Sequence, residues 1–203
     1  VMADSDVSWQ QITLPKAPVA RLKAAIVGVL EEQLLDEPSA LHVAVAPAAV
    51  AGQKTWIAAT DRAWLKQQLD LLQKNNLVVD RVVPMAWPED TPLGHFWLPD
   101  DADASAPMQL TWSDGQGVMC LGVQGALARH LFAKRWSAEP ARWTAHPAVA
   151  APAERWLGSR VVVQNTEQRL LQAMRSLWNL RQFDLAPQNR GLLQLRDSWR
   201  QFN

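Results

Sequence analysis

Apolar and polar positions alternate over Val7, Trp9, Ile12 and Leu14, with a slip at Gln10 and Gln11, and predict a strand that Pro15 ends by removing a ladder donor. The period then changes. From Val19, the apolar positions Leu22, Ala25, Ile26, Val29, Leu30 and Leu34 share one helical face; Pro18 suits the first turn and Pro38 stops the run. Leu41, Val43 and Val45 alternate again, and after a loop with Pro47 and Gly52 the segment KTWIAAT reads as a strand that pairs with them in a hairpin. Asp61 is a predicted N-cap for a helix with Trp64, Leu65, Leu69 and Leu72 on its apolar side. Asn75 and Asn76 can take up a left-handed turn, and the RVVP that ends at Pro84 reads as a short buried strand.

Residues 86–107 change character. Pro88, Pro92, Pro99 and Pro107, with Glu89, Asp90, Asp100, Asp101 and Asp103, predict a connector or loop-rich crossing pinned by Phe96 and Trp97. MQLTWSDGQGVMCLGV then predicts two strands around Asp114-Gly115, in a type I′ turn with Gly117 nearby. GALARHLFAKRW predicts a short helix and VVVQN a strand. Leu170, Leu171, Met174, Leu177 and Trp178 form a helical stripe that starts near an Asn165 or Thr166 cap. From Trp136 to Trp156 no pattern predicts an element. No repeat of fixed period and no low-complexity tract is present.

With 203 residues and 48% hydrophobic content, the chain can bury one bilobed domain or two small ones. Twenty basic and twenty acidic residues cancel, so nothing global draws the chain to nucleic acid or an acidic substrate. Residues 1–100 nonetheless carry 8 Lys/Arg against 12 Asp/Glu and the remainder 12 against 8, which suggests two faces with different partners. The single Cys120 lies in an apolar run and reads as a small buried hydrophobe. No run approaches the ~18 apolar residues of a membrane span, and no signal peptide is evident. The opening VMADSDVSW reads as the continuation of something already under way, so a fragment is expected.

Candidate chemistry is sparse. His42, His95, His130 and His146 are scattered, none at ligand spacing from another or from Cys120, and no metal or other cofactor is expected. No nucleophile-elbow or zinc-protease motif occurs, and paired carboxylates fall only in loops and helix ends. SDGQG at residues 113–117 has the form of a phosphate-holding glycine turn and equally that of any tight hairpin; a nucleotide site would need a second glycine-rich stretch, and no two of the nine glycines are adjacent. Eleven Trp and no Tyr point to cores and interfaces. Trp9, Trp56, Trp64, Trp112 and Trp178 sit on apolar faces of predicted elements, whereas Trp87, Trp97, Trp136, Trp143 and Trp156 lie in loop-like segments. Only AKRW interleaves basic and aromatic residues, too little for a nucleic-acid surface.

LP before the first helix, LEEQLLDEPSALHVAV, DRAWLKQQLDLLQKNNL with the following RVVP, and WNLRQFDLAP near the end resemble the cytoplasmic part of the L component of bacterial type II secretion systems. Within the last block, Asn179, Leu180, Arg181 and Gln182 fit that family's Asn-Leu-x-Gln motif. The resemblance implies an α/β (α+β) fold like that of actin-like ATPases and ribonuclease H, with two lobes and a strand-helix-strand-strand insert. The implied division is residues 1–60 for the insert of the first lobe, 61–104 for the rest of that lobe and a connector, 105–185 for the second lobe, and 186–203 for a basic juxtamembrane tail. On that resemblance, first-lobe strands that the family carries earlier are expected to be lacking before Val1.

The resemblance further implies a non-enzymatic scaffold at the cytoplasmic face of the Gram-negative inner membrane. Such a scaffold recruits the N-terminal domain of the secretion ATPase, the E component, and in full length pairs with the M component and other platform proteins beyond a following span; a homodimer is a further expectation. The alternative is a nucleotide-binding actin-like ATPase of a pilus-assembly type machine. Glu31, Glu32, Asp36 and Glu37 cluster at the end of the first helix against its dipole, and with Trp97 are the candidate partner-binding residues. Arg190, Arg196, Trp199 and Arg200 are the candidate membrane-proximal residues, in a stretch where six arginines from Arg169 to Arg200 face three acids.

Overall fold

The computed structural model describes residues 1–31, 40–99, 106–136 and 140–187. Its first sheet is antiparallel, with β1 (Ser8–Thr13), β2 (Leu41–Val45) and β3 (Lys54–Asp61) in the order β1-β3-β2. The expected hairpin is present: Val43 lies opposite Ala59 and Val45 opposite Ile57. Because successive side chains alternate across a sheet, β3 sends Ile57 and Ala59 to one face and Ala58 to the other. Helix α1 (Val19–Glu31) covers the first face with Ile26 and Leu30, both essentially inaccessible. The opposite face packs Ala44 and Ala58 against Leu65 of α2 (Arg62–Lys74), Val82, Trp178 and Leu180.

Asp61 caps α2 as predicted, its carboxylate accepting from Trp64 N at 2.8 Å, and Asn76 ends the following turn with φ 59°. RVVP is not a strand. Val82 and Val83 are buried, but the segment makes only an isolated bridge in which Met2 N donates to Val83 O and Met85 N to Met2 O. Extended backbone without a partner strand still buries its valines because the N-terminus and residues 178–180 close over it. Trp64 on α2 is also a correction: at 40% exposure it lies outside the core.

The second sheet has five strands in the order β6-β5-β4-β7-β8: β4 (Leu93–Trp97), β5 (Gln109–Asp114), β6 (Gly117–Gly122), β7 (Arg142–Ala145) and β8 (Val162–Val163). β5 and β6 run antiparallel to their neighbours, whereas β4, β7 and β8 are mutually parallel. The expected loop-rich connector thus contains the central strand of this sheet. Its Gly94 cannot be replaced freely, since a Cβ there would lie 2.3 Å from the Trp143 ring. The β5-β6 hairpin forms as predicted but not in a type I′ turn: the left-handed residue is Gly117, φ 137°, and not Gly115.

Helices α3 (Ala126–Leu131) and α4 (Ala150–Leu157) cover one face, where Phe96, Leu110, Trp112, Ala145 and Ala153 form the core. Trp143 and Trp156, which fall in a stretch without sequence pattern, belong to this core and flank Phe96 with ring centroids 5.6 and 5.7 Å away. Helix α5 (Thr166–Met174) starts at a capping box made by Asn165 and Gln168, as the sequence indicates. Its stripe is not buried, however: Leu171, Met174 and Leu177 are exposed, and only Trp178, beyond the helix, enters a core. Among the described residues no helix is long and apolar enough to cross a membrane.

Candidate interaction sites

The second sheet's other face is polar and nevertheless buried. Alternation along β4, β5 and β7 places His95, Thr111, Ser113 and Thr144 there, each at most 3% exposed. His95 lies opposite Thr111 on one side and Thr144 on the other, so the three form a row across the strands. Thr144 Oγ1 donates to Gly94 O at 3.2 Å and therefore accepts from His95 Nδ1 at 2.8 Å, which fixes Nδ1 as a donor and not a base for that hydroxyl. Asp4 reaches this row from the N-terminus. Its Oδ2 accepts from Thr111 Oγ1 at 2.6 Å and from Arg169 of α5 at 2.9 Å. Thr111 Oγ1 in turn accepts from Trp97 Nε1 at 3.0 Å. The cavity beside the row measures about 20 Å³, room for one water and no more. Nothing in the sequence pattern marked Asp4, one of two carboxylates, with Asp6, in the opening VMADSD.

A second polar constellation closes the first sheet. Residues 176–185 run as a strap over the outer edge of β2 and the extended segment 79–83. Leu180 N donates to Val82 O, and Asn179 Oδ1 accepts from both Val82 N and Arg181 N. Gln182 imitates a strand partner, its Oε1 accepting from Val45 N at 3.1 Å and its Nε2 donating to Val45 O at 2.9 Å. Arg181 donates to Val79 O and Leu185 O, and Arg81 to Ser176 O and Trp178 O. His42 Nε2 donates to Leu180 O at 2.6 Å. Asp184 ends the strap in a charge cluster with Lys23 at 2.5 Å and Arg62 at 2.7 Å, joining α1 and α2 to it. The Asn-Leu-x-Gln motif is thus an edge-capping device, and it protects β2 from pairing with another strand.

These groups set the pH dependence. Burial lowers the pKa of His42 and takes His95 from 6.5 to about 3, so both are neutral in the fold. Burial alone would raise Asp184, but hydrogen bonds from Lys23 and Arg62 outweigh it and hold the carboxyl at about 2. As pH falls below 6.5 the unfolded chain binds protons at both histidines that the folded chain refuses, and below the ordinary carboxylate pKa of 3.8 it does so at Asp184 as well. Stability is therefore expected to fall continuously on acidification from neutral pH, and His95→Gln to flatten the part between 6.5 and about 3. Urea midpoints measured across that range check this; a midpoint independent of pH would contradict it.

The glycine turn considered as a phosphate cradle lies where β1 meets β6. One of its amides is already used, because Gln116 N donates to Asp114 Oδ1 at 2.8 Å. An open cavity of about 460 Å³ adjoins Gly115, and its walls include Trp56, Glu89 and Asp90. Carboxylates at that position repel a polyphosphate. Calorimetry with millimolar MgATP is accordingly expected to give no binding heat; a micromolar dissociation constant would overturn the expectation.

The family model for Type II secretion system (T2SS), protein L, matches residues 1–101, which hold the whole first sheet, α1, α2 and β4. This chain belongs to the protein L family. No curated protein matches it. Among solved structures, the cytoplasmic domain of EpsL, an inner membrane component of the type II secretion system of Vibrio cholerae, is similar at 19% identity and a TM-score of 0.57, over 90% of this chain and 76% of that one. At that identity the likeness is one of fold, a mixed α/β architecture.

Of the candidate partner-binding residues in this protein L chain, Glu31 is exposed on α1, as the last described residue before 40. Trp97 is half-buried, 3.0 Å from Thr111 through its indole N–H, and well inside the second sheet. Glu32, Asp36 and Glu37 lie outside the described residues, as do Arg190, Arg196, Trp199 and Arg200. No group of three or more His, Cys, Asp or Glu able to hold a metal occurs among the described residues. Cys120 is half-buried on β6 beside Thr111, and burial pushes its thiol pKa up, away from reactivity.

Proposed function

We propose that this domain is a non-catalytic scaffold of the type II secretion system, acting at the cytoplasmic face of the inner membrane and recruiting the secretion ATPase through that enzyme's N-terminal domain. The observation that carries the reading is the family match over residues 1–101. The fold likeness to a cytoplasmic domain of an inner-membrane secretion component supports it. So does the chemistry of the cleft, where an occupied turn amide and carboxylates disfavour nucleotide. A five-stranded mixed sheet with an antiparallel hairpin at one edge fits a lobe of the actin-like, ribonuclease H-like kind. The antiparallel first sheet, with α1 between β1 and β2, fits the strand-helix-strand-strand insert of the other lobe. In this reading the second lobe starts at β4, and the basic stretch with Arg190, Arg196, Trp199 and Arg200 faces an anionic leaflet. The M component and other inner-membrane platform proteins are the remaining partners.

The acidic end of α1 is the proposed contact for the ATPase. The sequence places Glu31, Glu32, Asp36 and Glu37 toward the end of the first helix, where acids oppose the dipole, and a cationic partner surface would relieve that. The E31K/E32K variant is expected to slow association with the ATPase N-terminal domain and to weaken its salt dependence, because removed rim charges act mainly on the encounter rate. Stopped-flow rates at two ionic strengths measure this. Unchanged rates would move the contact elsewhere on the surface.

A further inference from the structure

We propose that α5 is a lid over the polar face of the second sheet, held closed by the ion pair between Asp4 and Arg169. Arg169 and Gln172 of α5, with Gln164 just before it, wall the cavity of about 20 Å³ beside the row of His95, Thr111, Ser113 and Thr144. The helix covers that row without packing on a core. Leu171 and Met174 are 60% and 59% exposed, and no residue of α5 belongs to any of the apolar cores among the described residues. A covering element without apolar packing is fastened by polar contacts, and α5 has few. Gln172 Oε1 accepts from Gln164 Nε2 at 2.9 Å, which ties the helix only to its own lead-in. Arg169 donates to Asp4 Oδ2 at 2.9 Å, and among the described residues this is the one side-chain bond that joins α5 to another part of the fold.

Burial makes this pair a latch and not a surface bridge: the side chain of Asp4 is 2% exposed and that of Arg169 14%. Asp4 sits in the N-terminal segment, whose Met2 and Val7 pack in the first core, and its Oδ2 also accepts from Thr111 Oγ1 of β5 at 2.6 Å. One carboxylate oxygen therefore joins the first core, the second sheet and the lid. The other, Oδ1, is buried without a hydrogen-bond partner. Closure thus desolvates an anion and satisfies half of it, and a buried ion pair offsets little more than its own desolvation. Opening hydrates hydroxyls, an imidazole and amides and leaves all three apolar cores packed. Both effects keep an open state close in free energy, the condition for a segment that opens locally. The capping box at Asn165 lets α5 move as one body, and the strap from Ser176 onward, bonded to Arg81 and Val45, anchors the far side of the hinge at Arg175. This inference is independent of the scaffold reading and of which component the domain recruits.

The test follows solvent exchange of two indole protons in the whole chain, labelled with nitrogen-15 and assigned by their disappearance in W97F and W156F. Trp97 Nε1 donates to Thr111 Oγ1 on the covered face, next to the latch, whereas Trp156 belongs to the core on the opposite face. In D4N and in R169Q the Trp97 proton is expected to exchange faster by about tenfold or more, with the Trp156 proton unchanged. The double variant D4N/R169Q is expected to exchange no faster than the faster single one, because both remove the same contact. R169K, which keeps a cation within reach of Asp4, is expected to fall between R169Q and the native chain. An unchanged Trp97 rate in both single variants, or single effects that multiply in the double variant, would overturn the proposal. Equal acceleration of Trp97 and Trp156 would do the same, since it reports loosening of the whole fold. So would failure of both D4N and R169Q to fold, because releasing a lid leaves the cores in place.

Discussion

Replacing Phe96 by Ala is expected to cost about 3–5 kcal/mol of stability, the usual toll of emptying an aromatic site in a close-packed core. Phe96 is wholly buried on the central strand of the second sheet, with Trp143 stacked on it at 25° and Trp156 meeting it edge-on at 63°. Phe132 contacts both tryptophans, so no neighbour can rotate into the vacancy without breaking another ring pair. Phe96→Leu keeps most of the volume and is expected to lose less than half as much. Urea unfolding followed by far-ultraviolet circular dichroism reads both. A loss under about 1 kcal/mol for Phe96→Ala would mean that this cluster is not the core of the sheet.

Leu180→Ala is the second large effect, about 2–5 kcal/mol, because Leu180 is buried in the first core and its backbone holds the strap to both Val82 and His42. Gln182→Ala separates packing from edge-capping. It removes the pair of hydrogen bonds to Val45 and leaves those backbone groups dependent on water, for about 1–3 kcal/mol. The two should also differ in kind: exposing the outer edge of β2 favours strand pairing between molecules, so Gln182→Ala is expected to aggregate near its unfolding midpoint more than Leu180→Ala. Light scattering during the same titration decides that, and equal scattering would remove the edge-capping role from Gln182.

The first sheet and α2 were legible because their periods are nearly clean and their stops clear: Pro15, Asp61 and Asn76 mark boundaries that the structure uses. β4 was hidden. Its five residues, LGHFW, contain a glycine required by Trp143 and a histidine on the polar face, and prolines lie close on both sides, so local composition reads as loop. Trp143 and Trp156 were misplaced for the same reason, since their partners are distant in sequence. The error with α5 ran the other way. Its apolar stripe obeys helical spacing, yet spacing reveals a face and not what covers it, and Leu177 at 82% exposure is covered by nothing described.

Functional legibility divided along similar lines. The Asn-Leu-x-Gln motif was conspicuous, but its work, side chains standing in for a missing strand, depends on Val45 and Val82, far away in sequence. The polar row of His95, Thr111 and Thr144 follows from register between β4, β5 and β7, which no single-sequence pattern specifies. Acid clustering at Glu31 was readable directly because charge needs no fold to be counted.

The scaffold reading is tested most directly by titrating the N-terminal domain of the secretion ATPase from the same system into this chain in a calorimeter. The account predicts saturable heat with a dissociation constant in the micromolar range or tighter, in buffer without nucleotide. Flat heats at both low and moderate ionic strength, with the chain demonstrably folded, would contradict it.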